Sequence, residues 1–231
     1  MDLLLFRIVN SPAFFHPVFA ALAEQKVPRE KLTKYLRLMG WFCELSRSPG
    51  RIAEQLRNMG FPEQAIEIDA IFQSEAGHGR EFALMVIDLL ELSEDRQDEW
   101  DCFVQMTDVP IRARKVAWQL AERGLIMTRG ELGEALGVML VVELAANRAI
   151  IPGQVKAFDE SGFYVLTVGG SAYLDAHIGE DGAEHDHEER MIRIVTGLQG
   201  VDGIREGIER GVIRFLPALN GFYSDLHAAI T

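Results

Sequence analysis

The sequence predicts an all-α fold in a single domain over residues 1–231, and three observations predict it. Apolar residues recur at intervals of three and four along most of the chain, which is the spacing of one helix face. The segments patterned this way are bounded by start and stop residues, with Ser/Thr and Pro ahead of them and Gly behind. Only one run, Phe163-Tyr164-Val165-Leu166, favours a strand, and one short strand makes no sheet, so it is read as helical or irregular. Seven to eight helices are expected.

Ser11-Pro12 reads as an N-cap with Pro at the first helical position, followed by the stripe Phe14, Phe15, Val18, Phe19 and Leu22. Val27-Pro28 ends that helix. A second begins near Arg29 and carries Leu32, Tyr35, Leu36, Met39 and Phe42. Ser48-Pro49-Gly50 is a turn, and Ile52 to Met59 a short helix with Gly60 just past its end. Pro62 opens a long helix to about Leu92, with apolar positions from Ile66 to Leu89. The acidic run Glu91 to Glu99 is a solvated linker or helix start, and Val109 to Arg123 is amphipathic and stops at Gly124. Thr128-Arg-Gly-Glu131 has the capping-box arrangement ahead of a strongly apolar helix to Ile151, with a break at Pro152-Gly153. Tyr173 to His185 is a helix weakened by Gly179 and Gly182, Glu188 to Leu198 continues it, and Val201 to Ile230 closes the bundle.

Composition narrows the function classes. Asp and Glu number 35 against 23 Lys and Arg, a formal charge of −12, whereas nucleic acid and anionic membrane both demand a basic face. Cys43 and Cys102 make one disulfide at most, so no disulfide framework holds the fold. Met1 to Phe6 is apolar but has no basic region before it and no cleavage site after it. Leu136 to Val142, the longest apolar stretch elsewhere, is far short of the ~20 residues of a membrane span. A cytoplasmic protein is expected.

What lifts the chain above a generic acidic domain is where its His fall among the carboxylates. Glu75 and His78 are three apart on a helix, so both can reach one ion; Glu-x-x-His is also the pair that di-iron carboxylate bundles project inward. Glu143 sits in a helix apolar on nearly every side, where a carboxylate is paired, hydrogen-bonded or metal-bound; an ion pair with Arg148 or with an Arg of another helix is the plain alternative. His177, Asp181 and His185 follow at steps of four, which keeps them on one broad face of a helix. Carboxylate with imidazole suits first-row metals such as Fe and Mn, and the lack of paired Cys argues against structural zinc. A solvated charged face with incidental His is the plain alternative for the His-bearing segments.

Ordered as Glu…His, Glu, His…Asp…His across three helices, these residues make the chain resemble the haem-oxygenase-like di-iron oxidases and oxygenases. That family includes the fatty-acid decarboxylases that form 1-alkenes and the chlamydial death-domain-associated protein. Its pattern looks like Glu and His on the third core helix, Glu two helices later, then His-x-x-x-Asp-x-x-His. Ser11-Pro12-Ala-Phe-Phe-His16-Pro17 and the Ser48-Pro49 turn also look like opening segments of that fold. The resemblance implies a haem-oxygenase-like helical bundle with Glu75 and His78 as the first ligand pair, Glu143 bridging, and His177 and Asp181 from the last motif. The chain departs at the end of that motif: Glu184 stands where the final His belongs, and His185 is one residue further. Either His185 is turned inward by an irregularity beside Gly179 and Gly182, or Glu184 supplies an oxygen instead. The resemblance further implies two Fe(II) per chain (Mn is left open), O2 and a small carboxylate- or amino-acid-derived substrate. It also implies a peroxo-di-iron(III) intermediate, and a last ligand helix that is poorly ordered without iron.

Other readings are kept beside this one. A cofactor-independent oxidase or a thiaminase-like enzyme on the same fold would need Cys43 or Cys102 as nucleophile, although neither has a basic neighbour in sequence. A haem oxygenase would use His16 as axial ligand, against a packing or capping role. A non-catalytic all-α binding protein would leave the acidic, His-rich segment in solvent. Phe82, Met139 and Tyr173 are the expected lining of a substrate cavity, and Arg148 is either a carboxylate clamp or an ion-pair partner. A homodimer is a base-rate expectation.

Overall fold

The computed structural model describes residues 1–43, 49–75, 78–92, 127–178 and 182–231. Every regular element among them is helical, so the chain is all-α. Ten α-helices are described: α1 (Asp2–Val9), α2 (Val18–Glu24), α3 (Arg29–Cys43), α4 (Pro49–Asn58), α5 (Pro62–Ser74), α6 (His78–Leu89), α7 (Arg129–Asp159), α8 (Val168–His177), α9 (Ala183–Leu198) and α10 (Ile204–Ile230). The expected helix from Val109 to Arg123, Cys102 and most of the acidic run after Glu91 lie outside the described residues.

Local chemistry explains most of the boundaries. Ser11 Oγ accepts from the Ala13 N–H and starts a 3-10 turn over Pro12–Phe15. His16 Nδ1 accepts from the Val18 N–H at 3.2 Å and so caps α2, while its Nε2 lies 3.3 Å from Ser224 Oγ. Both ring nitrogens of His16 thus have partners within the fold, which is the capping role. Gly60 follows α4 with φ of +87°, a conformation open to glycine at no steric cost. Thr128 and Glu131 form the reciprocal capping box at the start of α7. Thr167 caps α8, and Asp88 of α6 accepts from the Thr167 N–H at 2.7 Å and its hydroxyl at 2.8 Å, which fastens α8 to α6. Phe163–Leu166 is irregular rather than a strand, and the hydroxyl of Tyr164 within it accepts from the Val27 N–H.

Three helices depart from expectation. The long helix expected from Pro62 to about Leu92 is two: α5 ends at Ser74 with Glu75 as its cap and α6 starts at His78, so Glu75 and His78 belong to different helices. α7 does not break at Pro152-Gly153 but runs 31 residues to Asp159. It opens into a π turn at Ala146–Ile150, just ahead of Pro152, and another at Val155–Asp159. The wider turn relieves the clash that a Pro ring makes with the carbonyl four residues back in a regular helix. By length and composition α7 is apolar enough to cross a membrane, yet 72% of its most apolar window is buried inside the protein, as befits a core helix. The expected helix from Tyr173 to His185 is instead two, because α8 stops at His177 and Ile178 is extended. A Cβ at Gly182 would lie 2.6 Å from the Ile178 carbonyl oxygen, so the chain restarts there only as glycine.

The centre of the bundle is the contact of α7 with α10. A Cβ on Gly133 would sit 2.2 Å from Ile204 O, on Gly137 2.2 Å from Ile208 O, on Gly207 2.4 Å from Gly130 O, and on Gly211 2.2 Å from Glu134 O. The partners advance together along both helices, which therefore run parallel through the contact, backbone on backbone. α9 then packs against α5 and α7, α8 against α6, and α3 against α10.

Gly137→Ala tests this contact. Alanine favours a helix over glycine by up to about 1 kcal/mol, but here the added methyl meets a backbone oxygen that cannot move aside. Overpacking of this kind costs about 1–3 kcal/mol or more. The variant is expected to melt several degrees below wild type in a thermal scan followed by far-UV circular dichroism. Gly79→Ala, on an exposed position of α6 with open space around it, should be neutral or stabilising. Equal melting of the two variants would contradict the backbone contact.

Candidate metal centre

Four helix segments deliver side chains to one buried spot. Glu75 caps the C-terminus of α5, Glu143 lies on the α9-facing side of α7, His177 is the last residue of α8, and Glu184 and His187 are on the first turns of α9. Ligand atoms of Glu75, His177 and Glu184 lie within 4.8 Å of one another, and so do those of Glu143, Glu184 and His187. Glu184 belongs to both groups: its Oε1 is 3.7 Å from His177 Nε2, and its Oε2 is 4.0 Å from His187 Nδ1. His187 Nδ1 is also 3.3 Å from Glu75 Oε1 and 3.5 Å from Glu143 Oε2.

Both imidazoles are held from behind. His177 Nδ1 donates to the Tyr173 carbonyl one turn earlier, and His187 Nε2 is hydrogen-bonded to Ser74 Oγ. The ring of Tyr173 lies against that of His177, with centroids 4.4 Å apart, and Phe82 packs edge-on against Tyr173 at 5.2 Å. Phe82, Met139 and Tyr173, the expected cavity lining, are all buried in the core.

The structure thus brings together Glu75, Glu143, His177 and Glu184 of the residues singled out from sequence. It does not bring in His185, whose side chain is 41% exposed and lies 3.5 Å from Glu189 Oε1. The reason is the helix break. With α9 starting afresh at Ala183, Glu184 and His187 share a face at i, i+3, and His185 is turned about 100° away from Glu184. Asp181 lies outside the described residues. His78 opens α6 three residues after Glu75, and its side chain is likewise outside the described part of the structure. Arg148 does not reach Glu143; it forms an ion pair with Glu188, which also accepts from Asn147 Nδ2 at 2.7 Å.

His187, almost fully buried, was not among the residues picked from sequence. The signal was present: Glu184-His-Asp-His187 repeats the Glu-x-x-His spacing of Glu75-Ala-Gly-His78. Di-iron carboxylate bundles use such a Glu-x-x-His pair on each of two helices, with one further Glu from each of two others; here Glu184 and His187 share a helix face, whereas Glu75 ends α5 and His78 opens α6.

Electrostatics mark the spot as short of positive charge. Burial, and then the neighbouring Glu143 and Glu75, push the Glu184 carboxyl well above its ordinary range. Burial alone would lower the His187 imidazole, but the close approach of Glu143 and the charges of Glu143, Glu75 and Asp186 outweigh that and raise it. Glu184 Oε2 and His187 Nδ1 are buried atoms without a hydrogen bond. Such atoms are rare in folded proteins and call for an ion, a water or a proton. Carboxylates and imidazoles without thiolates suit first-row divalent cations.

No protein-family model matches the chain, and no curated protein is significantly similar to it.

The raised groups imply a stability that depends on pH. A group whose pKa rises on folding favours the folded state below its unfolded value, and that contribution is lost as pH climbs through the folded value. The loss begins above 4.5 for Glu184 and above 6.5 for His187. The metal-free protein is therefore expected to lose melting temperature between about pH 5 and pH 8, and Glu184→Gln to flatten that decline. Melting curves of both proteins across that range check it; a flat or rising wild-type profile would count against the buried charge.

Proposed function

We propose that the chain is a non-haem, two-metal oxidoreductase that activates O2, with iron as the expected metal. The observation that carries this reading is a pair of ligand groups sharing Glu184, one completed by Glu75 and His177 and the other by Glu143 and His187. Two buried atoms, Glu184 Oε2 and His187 Nδ1, face the centre without a hydrogen bond. The sharing of one carboxylate suits two ions held side by side, and the resemblance drawn from sequence supports iron and O2 as their use.

When bound, two ferrous ions would supply the electrons that reduce O2 and make it reactive toward a nearby substrate. The chain's own residues hold, orient and shield. Glu75 with His177, and Glu143 with His187, would hold one ion each, and Glu184 would span them. The Tyr173 carbonyl and Ser74 keep the imidazoles turned inward. Phe82, Tyr173 and the apolar face of α7 keep water away from the spot. A small carboxylate- or amino-acid-derived substrate is the class that the resemblance supports.

Anaerobic reconstitution with Fe(II), followed by metal analysis, is expected to give about two irons per chain, with O2 consumed on exposure to air. Glu184→Ala should bind fewer than one iron, because it removes a ligand from both sites, while His185→Ala should bind as wild type does. Failure of the wild type to bind iron, or full binding by Glu184→Ala, would overturn the proposal.

A further inference from the structure

We infer that Ser74 decides which nitrogen His187 turns toward the centre. A serine hydroxyl has one proton to donate and two lone pairs. Ser74 Oγ lies 2.9 Å from the Ile71 carbonyl oxygen, which can only accept, so the proton is committed there. The same Oγ is hydrogen-bonded to His187 Nε2. With the hydroxyl proton already used, the imidazole must be the donor, and Nε2 carries the hydrogen. In the neutral ring Nδ1 is then left with its lone pair. Nδ1 is the atom 3.3 Å from Glu75, 3.5 Å from Glu143 and 4.0 Å from Glu184, buried and without a hydrogen bond.

His177 is set the opposite way by the same reasoning. Its Nδ1 faces the Tyr173 carbonyl, which cannot donate, so Nδ1 carries the hydrogen and Nε2 presents its lone pair to Glu184. The two imidazoles would therefore meet their ions through different nitrogens, His187 through Nδ1 and His177 through Nε2. Ser74 is a positioning residue in this scheme. It immediately precedes Glu75, so the last turn of α5 supplies both a carboxylate to the centre and the anchor of the imidazole opposite. The consequence for metal binding rests on the two-metal reading; the tautomer does not.

Long-range proton–nitrogen correlation spectra of the metal-free full chain, labelled with 15N-histidine, read the tautomer directly. The spectra are taken at a pH where His187 is neutral, and a His187→Gln variant assigns the signal. Wild type is expected to show the Nε2–H form for His187 and the Nδ1–H form for His177. In Ser74→Ala the His187 signal should shift toward a mixture of forms, and Co(II) affinity should fall about 10- to 100-fold. Ser74→Thr, which keeps the hydroxyl, should restore both, and circular dichroism checks that each variant is folded. An Nδ1–H form of His187 in wild type, or a folded Ser74→Ala with unchanged tautomer and affinity, overturns the inference. A wild type that shows the expected tautomers yet binds neither Co(II) nor Fe(II) supports the role of Ser74 and counts instead against the two-metal reading.

Discussion

The backbone contact of α7 with α10 is the constraint from which the rest of the bundle follows. Glycines on both helices let each main chain come within touching distance of the other's carbonyl oxygens, closer than any side chain would permit. That contact fixes the rotation of α7 about its own axis. Glu143 is six residues beyond Gly137, about 120° round the helix, and so is turned away from α10 toward α9. Along residues 135–145 α7 is otherwise apolar and almost wholly buried, which leaves Glu143 as the one carboxylate of that stretch. A lone charge in such surroundings is costly, so the fold has to bring its compensation from elsewhere. α9 brings the His187 imidazole to Glu143 but with it a further carboxylate, Glu184, and Glu75 and His177 join from the ends of α5 and α8, so the cluster stays short of positive charge.

Much of this was legible in the chain because the signals were local. The capping box at Thr128, the stop at Gly60 and the cap at Ser11 each depend on residues within a few positions, and each sits where its chemistry demands. Glu143 was legible for the same reason, a carboxylate in a run of Val and Leu. The residues that were missed depend on events that periodicity does not encode. A continuous helix would place His177, Asp181 and His185 on one face, but the break after His177 resets the phase and exchanges His185 for His187. The glycines at 179 and 182 warned of an irregularity without giving its size. Pro152 was read as a break because a regular α-helix excludes it, and only the π turn ahead of it explains why α7 continues. The close approach of α7 and α10 was equally out of reach, since Gly133 and Gly137 look like helix-weakening residues until the facing Gly207 and Gly211 are seen.

Charge around the centre is distributed unevenly, and the unevenness bears on function. Glu188, adjacent to His187, is buried but fully satisfied: Arg148 grips both of its oxygens and Asn147 donates to one. Both donors lie in the π turn that follows Glu143, so the widened turn presents two consecutive side chains to a single carboxylate. The fold therefore has a cation five residues from Glu143 along α7 and gives it to Glu188 instead. Glu184 and His187 respond by favouring their protonated forms, which is how a buried cluster limits its charge when nothing else does. Protons and divalent cations then compete for the same oxygens and nitrogen, because carboxylate and neutral imidazole are the forms that bind metal. Stability alone would favour apolar residues of similar size at these positions. Three carboxylates and two imidazoles therefore share the spot while Arg148, the nearest arginine along the chain to Glu143, is held by Glu188, an arrangement whose charge a divalent cation would balance.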